Sequence, residues 1–333
     1  MLPQPARHHA TGSLDPGAQW LAAMRAGDWE AAWRVNDQVL ARRDRATQDD
    51  PTLPYHLRWV WDGTPPEGLP TLVRCYHGLG DTVQFARYLP WLRERGGAAR
   101  VTLEVQPELA GLLGAVPGVD RVVPFRLDAP LDPEPCTLEI MEIAHVLRLP
   151  PPPAPYLAAP GALPPESLSK PGPLRVGLCW QAGGWDPARS VPLALLAPLA
   201  RLPGVALVSL QRGPAAEEAL APGAPRFLNP RDRGLDAAET ARLMTGLHLV
   251  VTVDTLVAHL AGALGRPAWV LLRRDADWRW PSCAEDASPW YPTLRLARQD
   301  EEGDWADPVG EVTEAVAAHA ARLARARRGR VGS

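Results

Sequence analysis

Hydrophobic and polar positions change rhythm several times along this chain. Between 16 and 43 the rhythm is helical. Trp29, Trp33, Asn36 and Leu40 fall at i, i+4, i+7 and i+11, one face of a helix, with Gly27-Asp28 as the turn before it. The spacing predicts a helical hairpin. Short apolar runs then alternate with helical segments. TLVRCY (71–76), ARVTLEV (99–105) and DRVVPF (120–125) read as strands. The segments 81–95, with Pro90 as a bend, and 107–113 read as helices between them. Strand alternating with helix predicts a parallel sheet covered on its faces.

A second run of the same kind begins at LRVGLCW (174–180). Strands are expected at 205–210, 225–228, 247–253, 268–272 and 294–299. Helices are expected at 191–201, 214–220, 236–246, 255–264 and 305–328. Between the two runs, 150–173 holds ten prolines in 24 positions, a stiff and extended crossing. The expected organisation is a helical hairpin (1–50), a Rossmann-like domain (51–149), a proline-rich linker (150–173) and a second Rossmann-like domain (174–328). This is an α/β chain whose two lobes face a cleft, the usual place for a ligand.

Composition narrows the chemistry. The 333 residues carry a net charge of −3, and 46% are hydrophobic, so a folded chain without a basic nucleic-acid footprint is expected. Of 35 basic residues one is lysine, Lys170, in SLSKPG. A Walker A loop, which needs Lys after its glycines, is excluded. Cys75, Cys136, Cys179 and Cys283 lie far apart, without a CxxC pair, and read as reduced thiols rather than a zinc or disulfide framework. The N-terminal stretch lacks the apolar core of a signal peptide, and 247–272 is too interrupted for a membrane span. A cytoplasmic location is expected.

Ligands of open α/β sheets bind at the carboxyl ends of strands. Two strand-to-helix junctions stand out there. In CYHGLGDTVQFARYLP (75–90), Gly78 and Gly80 allow close backbone approach and Asp81 opens a helix. In VTVDTLVAHLAGALGRP (251–267), Asp254 and Thr255 open another, whose exposed N–H groups favour an anion. Asp is also a preferred helix N-cap, a role compatible with chemistry. His259 reads equally as a buried structural histidine or a diphosphate donor.

HGLGDTVQFARYLPWLRERG, VDTLVAHLAGALGRPAWVLL and DWRW…SPWYPTLRLARQ together resemble the heptosyltransferase-like family 9 glycosyltransferases. They look most like the branch that follows a tetratricopeptide segment, and AGDWEAAWRVNDQVLARR resembles one such repeat. The resemblance covers most of 70–300. It implies a GT-B fold, with acceptor bound by the N-terminal domain and nucleotide-sugar donor by the C-terminal domain. It also implies inverting transfer without a metal ion or other cofactor. Asp81 matches the family's Gly-Asp motif, where the base is expected, with His77 as the alternative. Asp254, Thr255 and His259 match its donor-binding Asp-Thr…His motif. Arg189 and Ser190 fall where the family places a phosphate contact, and Gln211 borders the same pocket. The implied partners are a nucleotide sugar and a glycan, lipid-linked saccharide or protein acceptor. A catalytically degenerate binding or adaptor protein is the alternative. A dinucleotide enzyme is disfavoured because no GxGxxG follows the strands at 71–76 or 174–180.

Three further features complete the reading. Trp278, Trp280, Trp290 and Tyr291 crowd the loop 273–292, with Asp277 and Arg279 between them. Aromatic packing of that loop is the plain reading, and a base-stacking wall the functional one. Glu139, Glu142 and His145 read as acceptor-side residues, the two carboxylates sharing a helical face if the segment is helix. Arg322, Arg325, Arg327, Arg328 and Arg330 suit a helix C-terminus, and suggest weak peripheral contact with anionic lipid at the cytoplasmic face of the inner membrane. PSCAED (281–286) and Arg273-Arg274 depart from the family's pattern, which bears on donor identity.

Overall fold

The computed structural model describes residues 15–331 except 51, 55–57, 164–171, 185, 230–234 and 281–287. The PSCAED segment, Lys170 and Cys283 lie outside the described residues. Two parallel sheets organise the chain. The first holds β1 (Pro70–Arg74), β2 (Arg100–Val105), β3 (Arg121–Pro124) and β4 (Cys136–Glu139), in the order β3-β2-β1-β4. The second holds β5 (Leu174–Cys179), β6 (Val205–Ser209), β7 (Leu249–Val253), β8 (Ala268–Leu272) and β9 (Leu294–Arg298), in the order β6-β5-β7-β8-β9. Strands covered on both faces read as nearly unbroken apolar runs, and every residue of β7 is buried.

The helices that cover the sheets begin with the hairpin, α1 (Pro16–Ala26) and α2 (Trp29–Arg42). Gly27, at φ 69°, ends α1, and the Asp28 carboxylate caps α2 by accepting from the Ala31 amide at 2.9 Å. In the first lobe follow α3 (Leu79–Phe85), α4 (Leu89–Glu94), α5 (Pro107–Leu113) and α6 (Ile143–Leu147). The second lobe has α7 (Ala197–Arg201), α8 (Ala237–Thr245), α9 (Leu256–Ala263) and α10 (Ala306–Val331).

Three expectations are corrected and one strand is added. The helix expected over 81–95 begins at Leu79, and a tight turn at Ala86–Tyr88 splits it before Pro90, whose missing N–H suits the first turn of α4. The strand expected at 225–228 shrinks to one bridge, Leu207 with Phe227. Residues 136–139 add a strand, β4, in a segment with no long apolar run. Glu139 therefore ends a strand, and shares no helical face with Glu142; the two instead form a reciprocal cap at the start of the turn leading into α6.

The lobes and the hairpin share one continuous core, while α10 and α7 cover the other face of the second sheet in a second core. The hairpin does more than cap its neighbour. Trp20 meets Trp278 edge-on at 5.2 Å and Trp29 meets Trp290 at 5.3 Å, both in the second lobe. Asp37 and Arg43 pair with His145 and Glu142 in the first. Between the lobes, α3 packs on α9. The linker residues Tyr156 and Leu157 both donate to the Ala263 carbonyl at the end of α9, at 3.0 and 3.1 Å.

Candidate active site

The carboxyl ends of β1, β5, β7 and β8 open toward one cleft of about 640 Å³ between the lobes. Its lining includes His77, Gly78, Gly80 and Asp81 from the first lobe. The second contributes Arg189, Asp254, Thr255, His259 and Arg279. Of the ten residues expected from the glycine loop, the base position and the donor site, eight thus meet around one space, with Arg279 facing them. Ser190 and Gln211 stand outside it.

On the first-lobe side, Gly78 precedes α3 and leaves its amide to the Asp81 carboxylate, Oδ2, at 2.9 Å. This is the helix-capping role. The other oxygen, Oδ1, accepts from Arg279 Nη2 at 2.5 Å, across the lobe boundary. His77 lies just beyond β1, next to the end of parallel strand β4. The register pairing Arg74 with Glu139 therefore brings the Glu139 carboxylate to 3.0 Å from His77 Nδ1. Burial pushes the imidazole pKa down, but the Glu139 hydrogen bond and charge, with Asp81, outweigh it and the net direction is up. Glu139 itself is buried and accepts from the Tyr76 and Met141 amides.

On the second-lobe side, Thr255 precedes α9, and its side chain makes no capping hydrogen bond. The helix start is open to a ligand anion. Asp254 is 8% exposed, with its Oδ2 3.5 Å from Arg189 Nη1, which also donates to the Asp254 carbonyl at 3.0 Å. Burial pushes the Asp254 carboxyl above the ordinary range, against the pull of Arg189 and the Trp280 indole. One turn into α9, His259 is buried, 3.0 Å from the Tyr291 hydroxyl. Burial, then the charges of Arg279, Arg87 and Arg189, push its pKa well below the ordinary value, so its imidazole is neutral.

Ser190 and Gln211 serve the backbone. Ser190 Oγ accepts from the Ala182 amide at 3.1 Å. Gln211 Oε1 accepts from the Trp180 and Gln181 amides at 3.0 and 2.9 Å, and Nε2 donates to the Gln181 and Arg212 carbonyls at 3.1 and 3.0 Å. That carboxamide stitches the end of β5 to the end of β6. In the aromatic loop, Trp280, Trp290 and Tyr291 are buried, and Trp278 alone of the four lines the cleft. The loop is held by aromatic packing. The sequence placed Arg279 among the aromatics of the loop but gave it no role in the site, since its partner Asp81 lies 198 positions away. It also left unpaired Glu139 and His77, which meet only through strand register.

A second cavity, of about 470 Å³, lies between the hairpin and the first lobe and meets the cleft at His77. Trp29, Trp33, Asn36 and Leu40, the helical stripe of α2, all line it. Trp59, Glu139, Glu142 and His145 face them. Among the described residues no group of three His, Cys, Asp or Glu is placed to hold a metal ion. No described helix is long and apolar enough to cross a membrane.

No family model matches the chain. It is similar to protein FlbA of Caulobacter vibrioides, 28% identical over 290 residues, covering 77% of this chain and 48% of that protein. The chain thus spans about half the length of the curated relative it matches. Among solved structures it resembles the ADP-heptose LPS heptosyltransferase II of E. coli. The TM-score is 0.54 at 15% identity, covering 75% of this chain and 99% of that one. It also resembles a family 9 glycosyl transferase from Veillonella parvula, with a TM-score of 0.50 at 14% identity, covering 78% and 98%. A third is the iron-containing dodecameric glycosyltransferase TibC of enterotoxigenic E. coli, with a TM-score of 0.51 at 15% identity, covering 74% and 67%. The chain has the fold of these glycosyltransferases, the GT-B arrangement of two Rossmann-like domains.

Proposed function

We propose that this chain is a glycosyltransferase of the family 9 type, moving a sugar from a nucleotide-sugar donor to a glycan, lipid-linked or protein acceptor. The observation that carries the reading is the convergence of Asp81 and the open start of α9 on one inter-lobe cleft. The donor lies against the second lobe. Its diphosphate faces the α9 amides, the Thr255 hydroxyl and Arg189, while Asp254 accepts hydrogen bonds from sugar hydroxyls. The acceptor occupies the aromatic cavity beside the hairpin and presents a hydroxyl at His77, where the two spaces meet.

Transfer is a displacement at the anomeric carbon. The acceptor oxygen forms the new bond on the face opposite the diphosphate, the carbon–oxygen bond to phosphate breaks, and the configuration inverts. Asp81 takes the proton of the attacking hydroxyl, and His77, held by Glu139, orients that hydroxyl. The departing diphosphate gains charge, which helix amides and arginines stabilise without a metal ion.

Thermal shift against nucleoside diphosphates and nucleotide sugars, with EDTA and with divalent metal, tests the reading. Stabilisation that survives EDTA is expected. No shift with any of them would sink the proposal and favour a non-enzymatic binding role. Contact with anionic lipid through the arginines near the end of α10 belongs to the same proposal. Liposome sedimentation unchanged by removing residues 322–333 would eliminate that part.

A further inference from the structure

The cleft is rich in arginine, yet among the described residues none of that charge is idle. Arg25 lies 3.6 Å from Asp275, and Arg273 lies 3.4 Å from Asp186. Arg189 is shared between Asp186 and Asp254. Arg279 is held by Asp81 at 2.5 Å and by Asp277 at 2.7 Å. Every described arginine lining the cleft already faces a carboxylate. A diphosphate entering here must compete for its cations.

Arg279 is the arginine best built to be won. Nε is fixed by Gln84 Oε1 at 2.6 Å, Nη1 by Asp277, and the guanidinium lies 4.2 Å from the Trp278 ring centre. Three contacts hold the group in the cleft wall, so breaking the fourth, to Asp81, frees one N–H edge without releasing the side chain. That edge is one of several ties between the lobes, beside Nε on Gln84. Its loss also frees Oδ1 of the carboxylate that the proposed reaction needs as a base, whose other oxygen is already taken by the Gly78 amide.

We propose that Arg279 is a positioning residue that exchanges Asp81 for the donor's diphosphate, so that Asp81 becomes a competent base only once donor is bound. Arg279 keeps its proton throughout; one ion pair is traded for another. The inference rests on the glycosyltransferase reading and adds to it a residue and an order of events.

The exchange makes a signed prediction about binding alone. Asp81 competes with the diphosphate for Arg279, so Asp81→Asn should tighten binding of ADP, UDP, GDP or CDP, whichever stabilises the wild-type chain. A gain of about tenfold is expected, the value of one charge-assisted hydrogen bond. In an Arg279→Gln background the same Asp81→Asn change should give no gain, because the contested cation is gone. Isothermal titration of the four proteins with that diphosphate reads the result. Arg279→Lys should restore part of the affinity lost in Arg279→Gln. Unchanged affinity in Asp81→Asn, or an equal gain in the Arg279→Gln background, would overturn the exchange while leaving the glycosyltransferase reading in place. If none of the four diphosphates binds wild-type protein, that reading falls and the exchange with it.

Discussion

Gly80 lies directly beneath the imidazole of His259. A Cβ built on Gly80 would stand 2.7 Å from His259 Cδ2, closer than real side chains approach. This contact is where α3 of one lobe meets α9 of the other. The ring cannot easily retreat, since it is buried between Tyr291 and the tilted ring of Trp280. Gly80→Ala should therefore push α3 away from α9 and cost about 1–3 kcal/mol, the usual penalty for overpacking. Thermal denaturation with nucleoside diphosphate present and absent checks it. A melting temperature and nucleotide response equal to wild type would show that the lobes do not need this approach.

The Gly80–His259 contact also shows what the sequence could and could not disclose. A glycine beside a strand end was legible as a close approach, and Asp81, Asp254 and Thr255 were legible because strand-to-helix junctions of a parallel sheet point at the ligand. What Gly80 approaches was not legible, because His259 lies in the other lobe. The same holds for Arg279 on Asp81 and Glu139 on His77, pairs made by lobe packing and by strand register. Gln211 was misplaced for a related reason. Its position after β6 suggested a ligand, but backbone groups at two strand ends claimed the carboxamide first. β4 went unseen because CTLE carries little apolar signal, and its pairing with β1 supplies what the local pattern lacks.

The His77–Glu139 pair predicts a pH effect with a definite sign. His77 titrates above its ordinary value in the folded chain, because the Glu139 hydrogen bond and charge, with Asp81, outweigh burial. Its contribution to stability is thus fully present below about pH 6.5, the unfolded value, and is lost as pH rises through the folded pKa. Glu139→Gln removes the charge and should lower the His77 pKa, read by NMR titration of the imidazole nitrogens. An unmoved pKa would mean that Glu139 does not set it. The variant also separates the two proton acceptors. With Asp81 as base the acid limb of the transfer profile stays in place, whereas a limb that follows the His77 pKa would assign the proton to His77.

Gln211→Leu should destabilise the second lobe without being a binding defect. The substitution is close in volume but leaves the Trp180 and Gln181 amides and two carbonyls without their partner. Buried groups stranded in this way cost roughly 1–3 kcal/mol each, tempered by whatever water can enter, so a loss of about 3 kcal/mol is expected. Chemical denaturation gives the stability. Nucleotide affinity measured where the variant is folded should match wild type. Weakened affinity with unchanged stability would return Gln211 to the ligand site.

Arg87 predicts how firmly the lobes are joined. It belongs to the first lobe, yet Nη1 donates to the Pro152 and Trp290 carbonyls at 3.2 and 3.0 Å, in the linker and the second lobe. The guanidinium also lies 4.7 Å from the Tyr156 ring centre and 4.8 Å from that of Tyr291. Lysine keeps the charge but has neither the planar face for two tyrosines nor the fork for separate carbonyls. Arg87→Lys should therefore lose about 2–3 kcal/mol, since a buried charge is kept while its partners are given up. The loss should fall on the junction. Hydrogen exchange is expected to quicken at the Tyr156 and Leu157 amides, which bind the end of α9, and to stay slow in β2 and β7 at the sheet centres. Uniform quickening across both sheets would mean that the lobes unfold as one unit, and that Arg87 contributes to global stability rather than to the joint.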